Sequence, residues 1–68
     1  MMTDFNPDVI SDPEEAERAA AAFSQLRKYC VVKAAAIRSR LAGDVQDALD
    51  LEERLDRIYA DLPEDLRW

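Results

Sequence analysis

With 68 residues, a formal net charge of −6 and no histidine, the chain is long enough for one small domain and lacks the residue most used in acid–base catalysis. A domain of this length buries only about 60% of the surface that its unfolded chain exposes. A single cysteine excludes an internal disulfide, and no group of residues has metal-ligand spacing. We therefore expect a second chain to contribute to stability.

Residues 1–11 show no helical period and are predicted to form an extended N-terminal arm. Its apolar residues, Phe5, Val9 and Ile10, either belong to a partly ordered terminus or dock on an apolar surface of this chain or of a partner. The arm begins without the basic and apolar regions of a secretory signal, so a cytoplasmic location is expected. The longest apolar run, residues 19–23, is far shorter than the roughly 20 residues of a transmembrane helix, so no membrane contact is expected.

Residues 12–68 are predicted to form one helical-hairpin domain. Its first helix has strong start signals, because Asp12 is a good N-cap, Pro13 fits the first helical position and Glu15 completes a box-like cap. This helix is expected to run from about residue 13 to about residue 42, a length near 45 Å.

An apolar stripe runs along the predicted first helix in steps of three and four residues, which is typical of a helix packed lengthwise on another. The stripe consists of Ala19, Phe23, Leu26, Cys30, Ala34, Ile37 and Leu41. Val31 and Val32 are expected to project to the far side, where the arm or another chain must cover them. Together with Tyr29 on the flank of the stripe and Trp68 in a C-terminal turn, they are the predicted partner-binding residues.

Gly43 is the only glycine, and it predicts the end of the first helix because glycine adopts the left-handed conformation without a Cβ penalty. Asp44 then caps a second helix, expected from residue 45 to about residue 62, before Pro63. The predicted fold is thus an all-α antiparallel helical hairpin. The expected contacts across it are Leu41 with Val45, Ile37 with Ala48 or Leu49, Cys30 with Leu55, and Leu26 with Ile58 or Tyr59.

The charges form three blocks along the chain. Residues 1–23 carry six acids and one base, residues 24–43 carry five bases and no acid, and residues 44–68 carry nine acids and three bases. A hairpin brings the basic block against the acidic block that follows it, and such exposed pairs favour this register while contributing little stability. The expected pairs join Arg38 and Arg40 to Asp44 and Asp47, and Lys33 to Glu52 and Glu53.

Two helices share only one interface, so half of each helix stays uncovered in a lone hairpin. We expect a homodimer that completes a four-helix bundle. The other arrangement that fits is a subunit or inhibitor that folds against a different protein.

The segment G-D-V-Q-D-A-L at residues 43–49 resembles the turn and second helix of a tetratricopeptide repeat, in which a Gly-Asp pair precedes a helix with alanine five residues after the glycine. The resemblance extends over residues 43–63 and implies a scaffold that binds peptides or proteins. The chain departs from the family pattern because Pro63 comes three residues late, Leu55 replaces an alanine, and only one unit is present.

The candidates for chemistry are few. Cys30 lies on the apolar stripe, which favours a buried residue over a nucleophile. Asp44, Asp47 and Asp50 step by three but lack the spacing and central glycine of an EF-hand, and the first two are explained by helix capping and the helix dipole. No glycine-rich phosphate loop is present. The chain is therefore predicted to have no enzymatic activity and to use no cofactor or metal.

The basic residues of the first predicted helix point in several directions, and an acidic helix lies beside them, so direct nucleic-acid binding is not expected. The acidic surface of the second helix and the C-terminal turn either keeps the protein soluble or imitates a phosphate backbone. Its residues are Asp47, Asp50, Glu53, Asp61, Glu64 and Asp65.

Two functions therefore fit the sequence. The leading hypothesis is a small noncatalytic protein–protein interaction module that acts as a dimer or subunit. The alternative is an acidic inhibitor or regulator, of the kind carried by phages and mobile elements, that mimics nucleic acid and binds a nucleic-acid-binding protein.

Overall fold

A computed structural model describes residues 6–68, and this part of the chain is all-helical. Its α-helices are α1 (Pro13–Ala22), α2 (Arg27–Leu41) and α3 (Val45–Asp61). Short 3-10 helices occupy Pro7–Val9, Ser24–Leu26 and Glu64–Leu66. Helix α2 lies in the middle, with α1 and α3 packed on it, and the molecule measures 36 × 22 × 16 Å.

The predicted single helix over residues 13–42 is wrong, because the chain breaks at Phe23. This residue has φ −120° and ψ 79°, and its amide donates a hydrogen bond of 2.8 Å to the carbonyl of Ala19. Its own carbonyl then accepts from the amide of Leu26 at 2.8 Å, which closes the short 3-10 helix before α2. The break lets α1 fold back on α2. A continuous helix would instead have left the apolar side of α1 in water.

Alanine side chains form the interface between α1 and α2. Ala16, Ala19 and Ala20 of α1 are buried in one cluster with Cys30 and Ala34 of α2. An ion pair of 2.5 Å between Glu17 and Arg38 places the middle of α1 beside the last turns of α2, as expected for antiparallel helices. Small side chains permit close approach of the two backbones, so this interface depends on the absence of bulk.

The predicted reversal at Gly43 and Asp44 is present. Gly43 has φ +81°, its amide donates to Arg40 at 3.1 Å, and the amide of Asp44 donates to Ser39 at 2.9 Å. These two bonds form a Schellman motif, which satisfies carbonyls at the end of α2. The Asp44 carboxylate accepts from the amide of Asp47 at 3.2 Å and caps α3, as predicted.

The face of α2 that packs on α3 differs from the predicted one. Tyr29 and Ala36 of α2 are buried with Leu55 and Ile58 of α3, and Val32 packs against this second cluster. Cys30 and Leu26 belong to the first cluster with α1, so the expected packing of Cys30 on Leu55 is wrong, as is that of Leu26 on Ile58 or Tyr59. A central helix must present one face to each neighbour, and the folded-back α1 takes the stripe that was assigned to α3.

The segment before α1 packs on α2 as a 3-10 turn instead of extending away from it. Pro7 and Ile10 are buried, whereas Val9 is exposed. The Tyr29 hydroxyl donates to the Asp8 carboxylate at 3.1 Å, which ties this segment to α2. Of the apolar residues predicted to dock, Ile10 does so and Val9 does not, while Phe5 lies outside the described residues.

Replacing Gly43 tests the bend. We expect Gly43→Ala to lower the free energy of unfolding by about 1 kcal/mol, because alanine in the left-handed region brings its Cβ close to the following carbonyl. Beyond Gly43 and its two chain neighbours, an added Cβ meets no heavy atom within 4 Å, so the loss reports local backbone strain. Urea unfolding followed by circular dichroism measures it. Gly43→Asn should lose less, and an unchanged Gly43→Ala variant would contradict this account of the turn.

Adding bulk tests the alanine interface. We expect Ala34→Leu to lower the free energy of unfolding by about 1–3 kcal/mol, because the larger side chain must separate α1 from α2. Ala21→Leu is the matched control, since Ala21 is an exposed alanine of α1. Thermal unfolding of both variants gives the comparison. Equal melting temperatures would show that α1 is not closely packed.

Candidate functional site

Three large apolar side chains are exposed where α2 meets α3. Leu41 is 74% exposed, Val45 is 55% exposed and Leu49 is 48% exposed. Leu41 ends α2, while Val45 and Leu49 lie one turn apart on the same side of α3. We call these three residues the apolar tip. The sequence interpretation missed this surface because it expected Leu41 and Val45 to cover each other across the bend.

The predicted partner-binding residues fall into two groups. Val31 is exposed, as a contact residue must be, and it lines a groove between α1 and α2. Tyr29 is only 4% exposed, so it has little surface left for a partner. Val32 and Trp68 are half-buried against the second cluster, which contradicts the expected projection of Val32 to the far side. The structure does not bring these four residues together as one exposed patch.

The two hydrophobic clusters meet at Trp68. Its ring packs against both hydrophobic clusters and makes edge-to-face contacts with Tyr29 and Tyr59, each with ring centroids 4.7 Å apart. The Tyr59 hydroxyl also donates a hydrogen bond to the Trp68 carbonyl. Trp68 is thus held in one position by its neighbours.

The six residues of the predicted acidic surface are all exposed, and three of them have partners within the chain. Asp47 accepts from Ser39 at 2.5 Å, Asp50 accepts from Gln46 at 3.3 Å, and Glu53 pairs with Arg57 at 2.7 Å. The other three are also exposed and form no ion pair with any residue in the range 6–68. They are Asp61, Glu64 and Asp65.

Three of the five basic residues of α2 have partners within the chain. Arg40 donates two hydrogen bonds of 2.7 Å to Glu52, and the bond from Arg40 lowers the pKa of this carboxyl group. Arg38 pairs with Glu17 instead of the expected Asp44 or Asp47, because α1 lies along the end of α2. A bidentate arginine–carboxylate pair fixes geometry well, even at an exposed position.

The expected pairing of Lys33 is confirmed only in part. Its ammonium donates to the Asp8 carbonyl at 3.2 Å, and its charge lies near enough to Glu52 to help lower the pKa of that carboxyl group, but it forms no ion pair with Glu52 or Glu53. The segment before α1 therefore competes with α3 for this cation. Of the basic block, Arg27 and Lys28 at the start of α2 stay exposed and form no ion pair with any residue from 6 to 68.

Cys30 is fully buried between α1 and α2, as its place on the apolar stripe predicted. Burial raises the pKa of its thiol, so the reactive thiolate is disfavoured at neutral pH. Among residues 6–68, no three cysteine or carboxylate side chains are grouped to hold a metal ion. No described helix combines the length and apolar character needed to cross a membrane.

Comparisons with protein-family models, with curated proteins and with solved structures find no significant match to this chain. The tetratricopeptide resemblance therefore stays a prediction.

Cys30 generates a prediction about pH. Because the pKa of the Cys30 thiol is higher in the folded state, the thiol of the unfolded chain ionises first as the pH rises. The contribution of the buried thiol to the free energy of unfolding is therefore complete below about pH 8.5 and falls as the pH rises from there towards the pKa of the folded state. We expect wild-type protein to lose more stability than Cys30→Ala between about pH 8 and about pH 9.5. Urea unfolding at each pH measures the difference. Identical pH slopes would show that this thiol is not protected by folding.

Proposed function

We propose that the chain is a noncatalytic helical interaction module that acts in the cytoplasm as a homodimer. The supporting observation is the apolar tip, where three large aliphatic side chains face solvent in a domain with a small core. The three lie within nine positions of the chain on either side of the bend, and exposed aliphatic groups that lie close together are a feature of interaction surfaces. A small domain also gains stability from any surface that a second chain buries.

A second copy of this chain is the occupant that fits the apolar tip. The two-fold symmetry of a dimer places the same patch of both chains in one contact, so a self-complementary aliphatic surface is sufficient. Pairing at the tip brings two α2–α3 hairpins together, giving four helices around one shared apolar contact. The four-helix bundle stays part of this proposal, with dimer contacts at the apolar tip instead of at Tyr29, Val31, Val32 and Trp68.

A pair of valine substitutions tests the proposal. Val45→Glu places a charge in the apolar tip, while Val9→Glu makes the same change at a valine that is 76% exposed outside the tip. Glutamate is tolerated in the first turn of a helix because it faces the positive end of the helix dipole. Val45→Glu should therefore remain folded.

We expect wild-type protein and Val9→Glu to sediment as dimers at about 100 μM, and Val45→Glu to sediment as a monomer. Sedimentation equilibrium gives the masses, and circular dichroism checks that each variant is helical. A monomeric wild-type chain at this concentration would contradict the proposal. So would equal dimerisation of the two glutamate variants.

The second candidate is an acidic regulator that imitates nucleic acid and occupies the site of a nucleic-acid-binding protein. The observation in its favour is that Asp61, Glu64 and Asp65 are exposed without ion pairs in the described part of the chain. Their field is screened over about 8–10 Å at physiological salt, so binding through them falls steeply as salt rises. Docking through the apolar tip is much less sensitive to salt.

A further inference from the structure

A second feature lies at the other end of α2 from the apolar tip. A cleft of about 240 Å³ is lined by three aromatic and two acidic residues. They are Asp8, Tyr29, Asp56, Tyr59 and Trp68. The residues come from the segment before α1, from the start of α2, from the later part of α3 and from the segment after α3, so folding brings them together. The apolar tip does not contribute to this cleft.

The aromatic walls of the cleft are fixed. Tyr29 and Tyr59 meet Trp68 at interplanar angles of 77° and 69°, so the rings form walls at steep angles to one another. The Tyr29 hydroxyl is held by Asp8, and the Tyr59 hydroxyl is held by the Trp68 carbonyl. A site whose side chains are already ordered loses little conformational entropy when a ligand binds.

The charge of the cleft is negative. Asp8 and Asp56 form no ion pair with any residue from 6 to 68, and no basic side chain lines the cleft. Lys33 contacts only the backbone carbonyl of Asp8, so the carboxylate is not neutralised by that bond. Burial is the main cause of the raised pKa of the Tyr29 hydroxyl, and the Asp8 and Asp56 carboxylates raise this pKa further. Both carboxylates therefore lie close to the Tyr29 ring.

We propose that this cleft binds a guanidinium cation. A guanidinium group is planar and weakly hydrated, so it stacks on aromatic faces while its N–H groups donate to carboxylates. The cleft supplies both types of partner: the half-buried rings of Tyr59 and Trp68 offer aromatic surface, and Asp8 and Asp56 offer carboxylates, while the buried Tyr29 holds Trp68 and Asp8 in place. A volume below that of sites for drug-sized ligands fits one small cation or one arginine side chain. A metal ion fits poorly, since the described residues contain no group of three ligating side chains.

The guanidinium group is present both in free guanidino compounds and in arginine residues of proteins. N-acetyl-arginine amide is therefore one probe, and the peptide Ala-Ala-Arg-Ala-Ala is the other. N-acetyl-citrulline amide is the neutral control, because it has nearly the same shape without the charge. The fluorescence of Trp68, the only tryptophan in the chain, reports binding at the cleft directly.

We expect the arginine probe to change Trp68 fluorescence saturably, with a dissociation constant on the order of 1 mM, and the citrulline probe to cause no saturable change. Asp56→Asn should weaken binding about tenfold, because it removes a charge-assisted hydrogen bond. Asp50→Asn is the matched control, since it makes the same change elsewhere on α3 and should bind like wild type. Both changes are at exposed positions, so both variants should fold.

Three results would overturn the proposal. They are no saturable binding of the arginine probe, equal binding of the citrulline probe, and equal loss in the Asp56→Asn and Asp50→Asn variants. Tighter binding of the peptide than of the blocked amino acid would assign the site to an arginine of a protein. Equal binding of the two would show that the cleft recognises the guanidinium group alone, as a free guanidino compound requires. Asp56→Asn leaves the apolar tip intact, so this variant should sediment as wild type does, whether or not it binds the arginine probe. Failure of the guanidinium proposal is thereby distinguished from failure of the dimer proposal.

Discussion

The packing of two helices on opposite sides of α2 is the constraint on which the rest of the structure depends. Helix α2 meets α1 through alanines and Cys30, and it meets α3 through Tyr29, Val32 and Ala36. These two contacts use up most of the apolar surface of α2. What remains exposed lies at the ends and edges of the helices, and the apolar tip and the groove beside Val31 are therefore the places where another chain can add to the core.

The local signals in the sequence were sufficient for the helix ends that depend on single residues. Asp12 and Asp44 accept backbone amides at the starts of α1 and α3, and Gly43 adopts the positive φ that its position required. Each of these features has a cause within a few residues of the chain. Such features can be derived without knowledge of the tertiary packing.

The break at Phe23 could not be derived in this way. No glycine or proline marks it, and an alanine-rich stretch favours a continuous helix. The chain turns there because burial of α1 against α2 outweighs local helix propensity, which is a weak influence beside tertiary packing. The same error moved the stripe of Cys30 and Ala34 to the wrong neighbour. It also assigned Arg38 to α3 instead of Glu17.

The candidate surfaces also include some features that could be predicted from the sequence and others that could not. Exposure of Val31 and of the acidic residues followed from helical periodicity. The apolar tip did not, because the geometry of the bend decides whether Leu41 and Val45 cover each other. The cleft around Trp68 was also missed, since it joins residues that are distant in sequence, such as Asp8 and Asp56.

The position of Trp68 has a consequence for how the molecule melts. Its indole touches the hydrophobic cluster of α1 and α2 as well as that of α2 and α3. Loss of either cluster removes packing from the same side chain, so the two halves are energetically coupled through it. Heat should therefore disrupt both halves in one cooperative transition, and the emission of this single indole follows that transition.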